Sequence, residues 1–111
     1  MDKAVLKKKA ESYLEQEGYI WPEEKSGFDI CRKKMPQFRN EYLAVGCNVN
    51  DEVTIRYFNL FNKNLAKFQQ EVKQATGSFS SVKGLIAYSG NCTKDIKIKA
   101  RAARIKHKKF Q

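Results

Sequence analysis

One amphipathic stripe constrains this chain more than any other feature of its sequence. Apolar side chains recur three and four residues apart over about five helical turns, at Phe58, Phe61, Leu65, Phe68, Val72 and Ala75. This spacing places them on one face of an α-helix, and a stripe of this kind is far more often core than a ligand surface. The sequence therefore predicts a long helix that packs against the rest of a folded domain.

The segment before this helix predicts one helix followed by strands. Leu6, Ala10 and Leu14 share a helical face, and Gly18 is suited to end that helix. The pattern then predicts a short strand over 19–21 that stops at Pro22, a strand over 28–33, a turn over 35–40 and a strand over 41–49. The two longer strands form a hairpin in this interpretation. Residues 53–57 predict either an edge strand or the approach to the long helix.

The segment after the long helix predicts a strand, a helix and an extended end. Residues 82–88 form a short apolar run typical of a buried strand. Beyond them, Ile96 and Ala100 fit both the alternation of a half-buried strand and one face of a helix, and Thr93 is a suitable N-cap. We favour a helix over 94–103, followed by a short strand or extended tail from Arg104.

The length and composition are those of one folded domain. The 111 residues, 41% of them hydrophobic, suffice for a single core and argue against disorder. No apolar run of about 18 residues occurs, and the chain starts with a charged segment, so we expect neither a membrane span nor a secretory signal. Cys31, Cys47 and Cys92 are widely spaced and favour reduced thiols over a disulfide or a structural metal. We therefore expect an intracellular protein, cytoplasmic or nuclear.

Basic residues are concentrated at the C-terminal end. The net charge is +10, and residues 94–111 supply +7 of it, because eight basic residues there face one acidic residue. This density favours a polyanionic partner, since each phosphate contact releases condensed counterions. A solvated surface, or one that meets an acidic protein or membrane surface, is the alternative. The expected nucleic-acid contacts are Lys94, Lys97, Lys99, Arg101, Arg104, Lys106, Lys108 and Lys109.

Four sequence segments resemble, in order, the restriction-endonuclease-like PD-(D/E)xK superfamily, and most closely its Mrr-type branch. They are ESYLEQEGY, GFDI, YLAVGCNV and GLIAYSGNCTKDIKIKA, which together extend over nearly the whole chain. The resemblance implies a single α/β domain over 1–111 with a restriction-endonuclease-like core. That core would hold a small mixed sheet of about four strands, including a hairpin, flanked by helices. Residues 94–111 would form its basic C-terminal helix or tail.

The resemblance also places the catalytic positions. Asp29 matches the metal-binding Asp of the family, while Gly46 falls at its Glu or Gln and Asn48 at its Lys. The Glu and Lys of the family are two residues apart, so both point into the same cleft. The alternation predicts Leu43, Val45, Cys47 and Val49 on the buried face, and Ala44, Gly46 and Asn48 on the cleft face.

Loss of these ligands decides the expected function. Mg²⁺ commonly needs one or two carboxylates with waters and phosphate, and Asp29 alone is a poor metal site. Glu11 is the best substitute carboxylate, ahead of Glu41, Asp51 and Glu52. We expect a nucleic-acid-binding protein, with DNA favoured over RNA, that has little or no cleavage activity and no certain cofactor. The alternatives are an Mg²⁺- or Mn²⁺-dependent endonuclease that uses Asp29 with a displaced carboxylate, and a non-catalytic subunit or docking scaffold. The sequence does not decide between a monomer and a homodimer.

Overall fold

The computed structural model describes residues 1–25, 28–35, 39–77 and 80–111, with the side chains of residues 21–40 outside that description. Ten elements follow one another along the described residues. They are α1 (Lys3–Gln16), β1 (Ile20–Lys25), β2 (Phe28–Met35), β3 (Arg39–Asn48), β4 (Glu52–Val53), α2 (Ile55–Thr76), β5 (Ser80–Tyr88), β6 (Asn91–Cys92), α3 (Lys94–Ala102) and β7 (Ile105–Lys109).

Five strands form a mixed sheet in the order β1-β2-β3-β5-β7. The pairs β1–β2 and β2–β3 are antiparallel, whereas β3–β5 and β5–β7 are parallel. The short strands β4 and β6 form a separate parallel pair. The predicted fold class, a small mixed sheet with a hairpin and flanking helices, is confirmed, with one more strand in the sheet than the four or so expected.

The strand β3 is covered on both faces along its described side chains. Consecutive residues of β3 point to opposite faces, as in any strand, and both sets are buried. On one face α1 packs on Leu43 and Val45, and on the other α2 and α3 pack on Ala44. The α1 core contains Leu6, Ala10, Leu14, Leu43, Val45, Leu85, Ala87 and Phe110. The core on the opposite face contains Ala44, Val53, Phe58, Phe61, Leu65, Phe68, Val72, Ile86, Tyr88, Ile96, Ala100 and Ile105.

Side-chain caps define the helix starts. The Thr54 hydroxyl accepts a hydrogen bond from the Tyr57 amide at 3.1 Å, and the Thr93 hydroxyl accepts one from the Ile96 amide at 3.3 Å. At the end of α1, Gly18 has a φ of 91°, a conformation that favours glycine. The predicted cap at Thr93 and the predicted helix end at Gly18 are therefore confirmed.

Most predicted strand boundaries differ from the structure by one or two residues, and the end of the first strand differs most. The prediction that a strand stops at Pro22 is wrong, because β1 continues to Lys25. The ladder with β2 is irregular between Ile20 and Glu23, so Pro22 lies where a regular hydrogen-bonding partner is not required. Residues 53–57 are mostly helix, since α2 begins at Ile55 directly after the Thr54 cap.

The basic C-terminal segment is part of the domain. Residues 94–109 form α3 and the edge strand β7 on either side of a turn at Arg104, which has a φ of 58°. Phe110 is buried in the α1 core, and its amide donates to the Tyr88 carbonyl at 2.9 Å. The helix and short strand predicted here are confirmed. None of the helices in the described part of the chain is long and apolar enough to cross a membrane.

Candidate nucleic-acid interface

An open groove of about 760 Å³ lies between the C-terminal end of α1 and the exposed side of α3. Residues from β3, β5 and β7 complete it. We call this site the basic groove, and it is lined by Tyr13, Leu14, Glu17, Tyr19, Glu41, Leu43, Leu85, Lys94, Lys97, Ile98, Arg101, Ile105, Lys106, His107 and Lys108.

The groove gathers five of the eight basic residues that the sequence suggested as nucleic-acid contacts. Three come from one side of α3, because residues three and four apart in a helix are neighbours, and two come from alternate positions of β7. They are Lys94, Lys97, Arg101, Lys106 and Lys108. The remaining three, Lys99, Arg104 and Lys109, are exposed but do not line the groove.

Lys108 differs from the other groove cations. Its ammonium lies 4.7 Å from the centre of the Tyr13 ring and 5.5 Å from that of the Phe110 ring, both within cation–π range. Tyr13 and Phe110 in turn meet edge to face at 5.9 Å. Lys108 therefore links β7 to α1, whereas Lys94, Lys97, Arg101 and Lys106 are exposed to a partner.

A carboxylate is fixed among these cations. The Tyr19 hydroxyl donates to Oε1 of Glu41 at 3.2 Å, and the Lys83 ammonium pairs with the same oxygen at 3.2 Å. The Glu41 side chain is only 13% exposed. Both contacts hold the Glu41 carboxylate in place near the start of β3. Glu41, which the sequence suggested as a possible substitute metal ligand, therefore already has two partners in the groove.

The floor of the groove is apolar. Leu43, Leu85 and Ile105 are buried beneath it, and Tyr13 and Tyr19 contribute aromatic rings to the wall. Ile98 is 56% exposed in the middle of the basic side of α3. The apolar surface that the groove offers a ligand therefore comes mainly from Ile98, and the positive charge lies at the rim.

The prediction that Ala44, Gly46 and Asn48 face a cleft is wrong. A Cβ at Gly46 would overlap the Tyr57 hydroxyl and would lie 2.8 Å from the Phe61 ring, because α2 packs directly on β3. Ala44 and Asn48 are buried too, and Oδ1 of Asn48 accepts a hydrogen bond from the Asn50 amide at 3.0 Å. β3 lies inside the sheet with a parallel neighbour in β5, and such strands are commonly buried on both faces, so alternation along the strand does not reveal an open cleft.

The opposite face of β3 follows the prediction. Leu43 and Val45 are buried against α1, with Cys47 and Val49 packed at the margin of the same core. Tyr57 closes the α2 side next to Cys47, and its burial raises the pKa of the Tyr57 hydroxyl well above the ordinary value. No open space is left around Gly46 for a catalytic carboxylate.

The metal-ligand candidates are not brought together by the described residues. The backbone of Asp29 pairs with that of Val45, and the Asp29 side chain lies outside the described residues. Glu11 is half-buried on α1, while Asp51 and Glu52 are exposed. Among the side chains that the structure describes, no three His, Cys, Asp or Glu residues form a cluster that could hold a metal ion.

A search of solved structures finds a likeness to EndoMS, a restriction-endonuclease-like nuclease, in its apo form. The two folds superpose with a TM-score of 0.53 at 13% sequence identity. The match covers 100% of this chain and 47% of the EndoMS chain, so this chain spans about half of that protein. No family model and no curated protein sequence matches. The likeness shows a restriction-endonuclease-like fold, while the Mrr-type branch stays a prediction.

Proposed function

We propose that this protein binds nucleic acid, DNA in preference to RNA, through the basic groove and has little or no cleavage activity. The observation that carries the proposal is the convergence of α3 and β7 cations on one groove, in a fold like that of a nuclease. Four exposed cations at its rim can each meet a phosphate, and such contacts supply most of non-specific nucleic-acid affinity.

The proposal of weak or absent cleavage rests on the α2 side of β3. Gly46 supplies no side-chain ligand, and the space that a ligand would need is filled by Tyr57 and Phe61. Asn48 is buried and bonded to the neighbouring backbone. An endonuclease that uses Asp29 and Glu11 with Mg²⁺ or Mn²⁺, and a non-catalytic docking scaffold, are the two alternatives that experiment must separate from this proposal.

Two matched pairs of lysines test the groove. Lys97→Gln with Lys106→Gln removes one groove cation from α3 and one from β7, and Lys99→Gln with Lys109→Gln removes two exposed cations from the same elements outside the groove. Fluorescence anisotropy with a duplex that carries a single-stranded overhang measures affinity against salt concentration. For the groove pair, the slope of log K against log salt should become shallower by about 1.4 to 1.8, because each of the two lost phosphate contacts contributes roughly 0.7 to 0.9.

The control pair should retain nearly the wild-type slope. Equal losses in both pairs would mean that charge density, and not the groove, determines binding.

Incubation of the wild-type protein with plasmid, branched DNA and RNA in Mn²⁺ tests the rest of the proposal. Metal-dependent cleavage would establish the endonuclease alternative, and no binding to any of these nucleic acids would favour the scaffold.

A further inference from the structure

We propose that the basic groove receives an unpaired nucleic-acid strand and that Glu41 is a specificity-determining residue that favours a base with an exocyclic amine. This inference rests on the proposed function and specifies its ligand. Three features of the groove carry it: the exposed apolar side chain of Ile98, the volume, and a carboxylate that Tyr19 and Lys83 hold in place.

The apolar side chain that is exposed in the groove distinguishes an unpaired strand from a duplex. A duplex presents phosphates outwards and hides the faces of its bases, so it has no apolar surface to cover the exposed side chain of Ile98. An unpaired strand exposes base faces, and these stack on aromatic side chains while cations follow the backbone. Tyr19 supplies such a ring beside the exposed cations, whereas the Tyr13 ring is already in contact with Lys108 and Phe110.

The volume agrees with this ligand. At about 760 Å³, the groove lies within the range of roughly 300–1,000 Å³ typical of pockets that bury a small organic molecule. A base with its sugar is a ligand of that class, whereas a double helix is much wider than such a pocket. The rim cations can then contact the phosphates on either side of the seated base.

The negative charge of Glu41 repels phosphate, so a groove that contacts only phosphates does not account for the presence of Glu41 in its lining. A carboxylate accepts hydrogen bonds from the amine of cytosine, but it faces a carbonyl oxygen at the same position of thymine. Tyr19 and Lys83 both contact Oε1, so the carboxylate is held in place before a ligand binds. Unpaired bases are commonly identified through this edge. The expected preference is for cytosine over thymine.

Homopolymeric oligonucleotides of equal length test the base preference, because oligo-dC and oligo-dT differ at this edge and are both pyrimidines. We expect the wild-type protein to bind oligo-dC about tenfold more tightly, the ratio that one hydrogen bond to a charged group supplies. Glu41→Gln should bring the ratio close to one, since an amide can accept from cytosine or donate to thymine. Glu15→Gln removes an exposed carboxylate outside the groove lining and should keep the wild-type ratio. An equal affinity of the wild-type protein for both oligonucleotides would overturn the role of Glu41.

A second pair of variants tests whether the ligand is an unpaired nucleic-acid strand, and this test does not depend on the folding of a Glu41 variant. Ile98 is 56% exposed in the groove, and Leu60 is 58% exposed on α2 outside it. Ile98→Ala should weaken binding of oligo-dC severalfold and leave duplex binding unchanged, while Leu60→Ala should change neither. Tighter binding to duplex than to oligo-dC would overturn the inference and leave the proposed function intact. No effect of Lys97→Gln with Lys106→Gln on any probe would overturn the proposed function itself.

Oligo-rC in the same titration separates unpaired DNA from unpaired RNA as the ligand. Because the proposed function favours DNA, oligo-rC should bind more weakly than oligo-dC. It should still bind more tightly than oligo-rU, because cytosine carries the same amine in RNA and in DNA. No preference between the two RNA probes, together with none between the DNA probes, would reject base selection by Glu41.

Discussion

The two faces of β3 differ in what they can contact. On the α2 side, Tyr57 and Phe61 lie so close to Gly46 that even a methyl group has no space. On the α1 side, the sheet passes from a packed core into an open groove with cations at its rim. Gly46 and Asn48 lie on the closed face, while the face with the basic groove is open. The proposed binding and the proposed loss of cleavage therefore concern different faces of β3, and each can be tested alone.

The largest effect is expected from a carboxylate at the closed face. Gly46→Glu with Asn48→Lys would gain Mg²⁺ affinity if these positions faced a cleft. Because the structure buries both, we expect the double variant to lose about 4 kcal/mol or more of unfolding free energy, through overlap with Tyr57 and Phe61 and through unpaired buried charge. Urea denaturation followed by circular dichroism measures the loss, and calorimetry with Mg²⁺ measures any gain in metal binding.

Asn50→Glu is the control for this variant. Asn50 is exposed just beyond β3, so the added charge stays in water and stability should change by less than about 0.5 kcal/mol. Val45→Glu should be severely destabilising as well, since Val45 is fully buried against α1. A folded double variant that binds Mg²⁺ would show that the Gly46 side of β3 can open, and the contrast between the faces would disappear.

A smaller effect should appear in alkaline solution. Burial, with the nearby Cys47, raises the pKa of Tyr57 above its ordinary value, so the folded protein favours the neutral hydroxyl. In the unfolded chain a tyrosine ionises near pH 10. The contribution of Tyr57 to stability is thus fully present below about pH 10 and decreases as the pH rises above it, by at most about 1.4 kcal/mol per pH unit.

Tyr57→Phe tests this assignment. The variant should show a shallower loss of unfolding free energy between about pH 9 and pH 11 than the wild-type protein, because its residue 57 cannot ionise. Urea titrations at these pH values provide the comparison. Identical slopes in the two proteins would show that Tyr57 is accessible to water, and the α2 side would not be as closed as its packing indicates.

Local patterns in the sequence were sufficient to predict most elements of the fold. The stripe from Phe58 to Ala75 predicted α2, and all of its members except the exposed Ala75 are buried. Thr93 predicted the start of α3 against a competing strand pattern. Both signals are local, since helical periodicity and capping depend on residues a few positions apart. The burial of Gly46 depends instead on where α2 lies over β3, and the residue pattern within β3 does not reveal the position of α2. A glycine in an otherwise apolar strand was the available hint of a close approach.

The groove combines predictable and unpredictable parts. Its cations are evident from charge density, and the helical spacing of Lys94, Lys97 and Arg101 is a sequence signal that separates these three residues from Lys99. The pairing of Tyr19 with Glu41 could not be foreseen, because it joins residues 22 positions apart across the fold. Sequence thus predicts the charge of this surface better than its shape.

The smallest effect is expected at Asp29, and its sign separates the proposal from the endonuclease alternative. The backbone register pairs Asp29 with Val45, and the described residues supply no cluster of metal ligands. Without a metal, a lone carboxylate repels any phosphate that comes near it, so Asp29→Ala should leave DNA binding unchanged or slightly tighter. Glu11→Ala should behave in the same way, whether or not Mg²⁺ is present. If either variant instead loses Mg²⁺-dependent binding or metal-dependent cleavage, the two carboxylates form a working site, and separation of binding from catalysis fails for this protein.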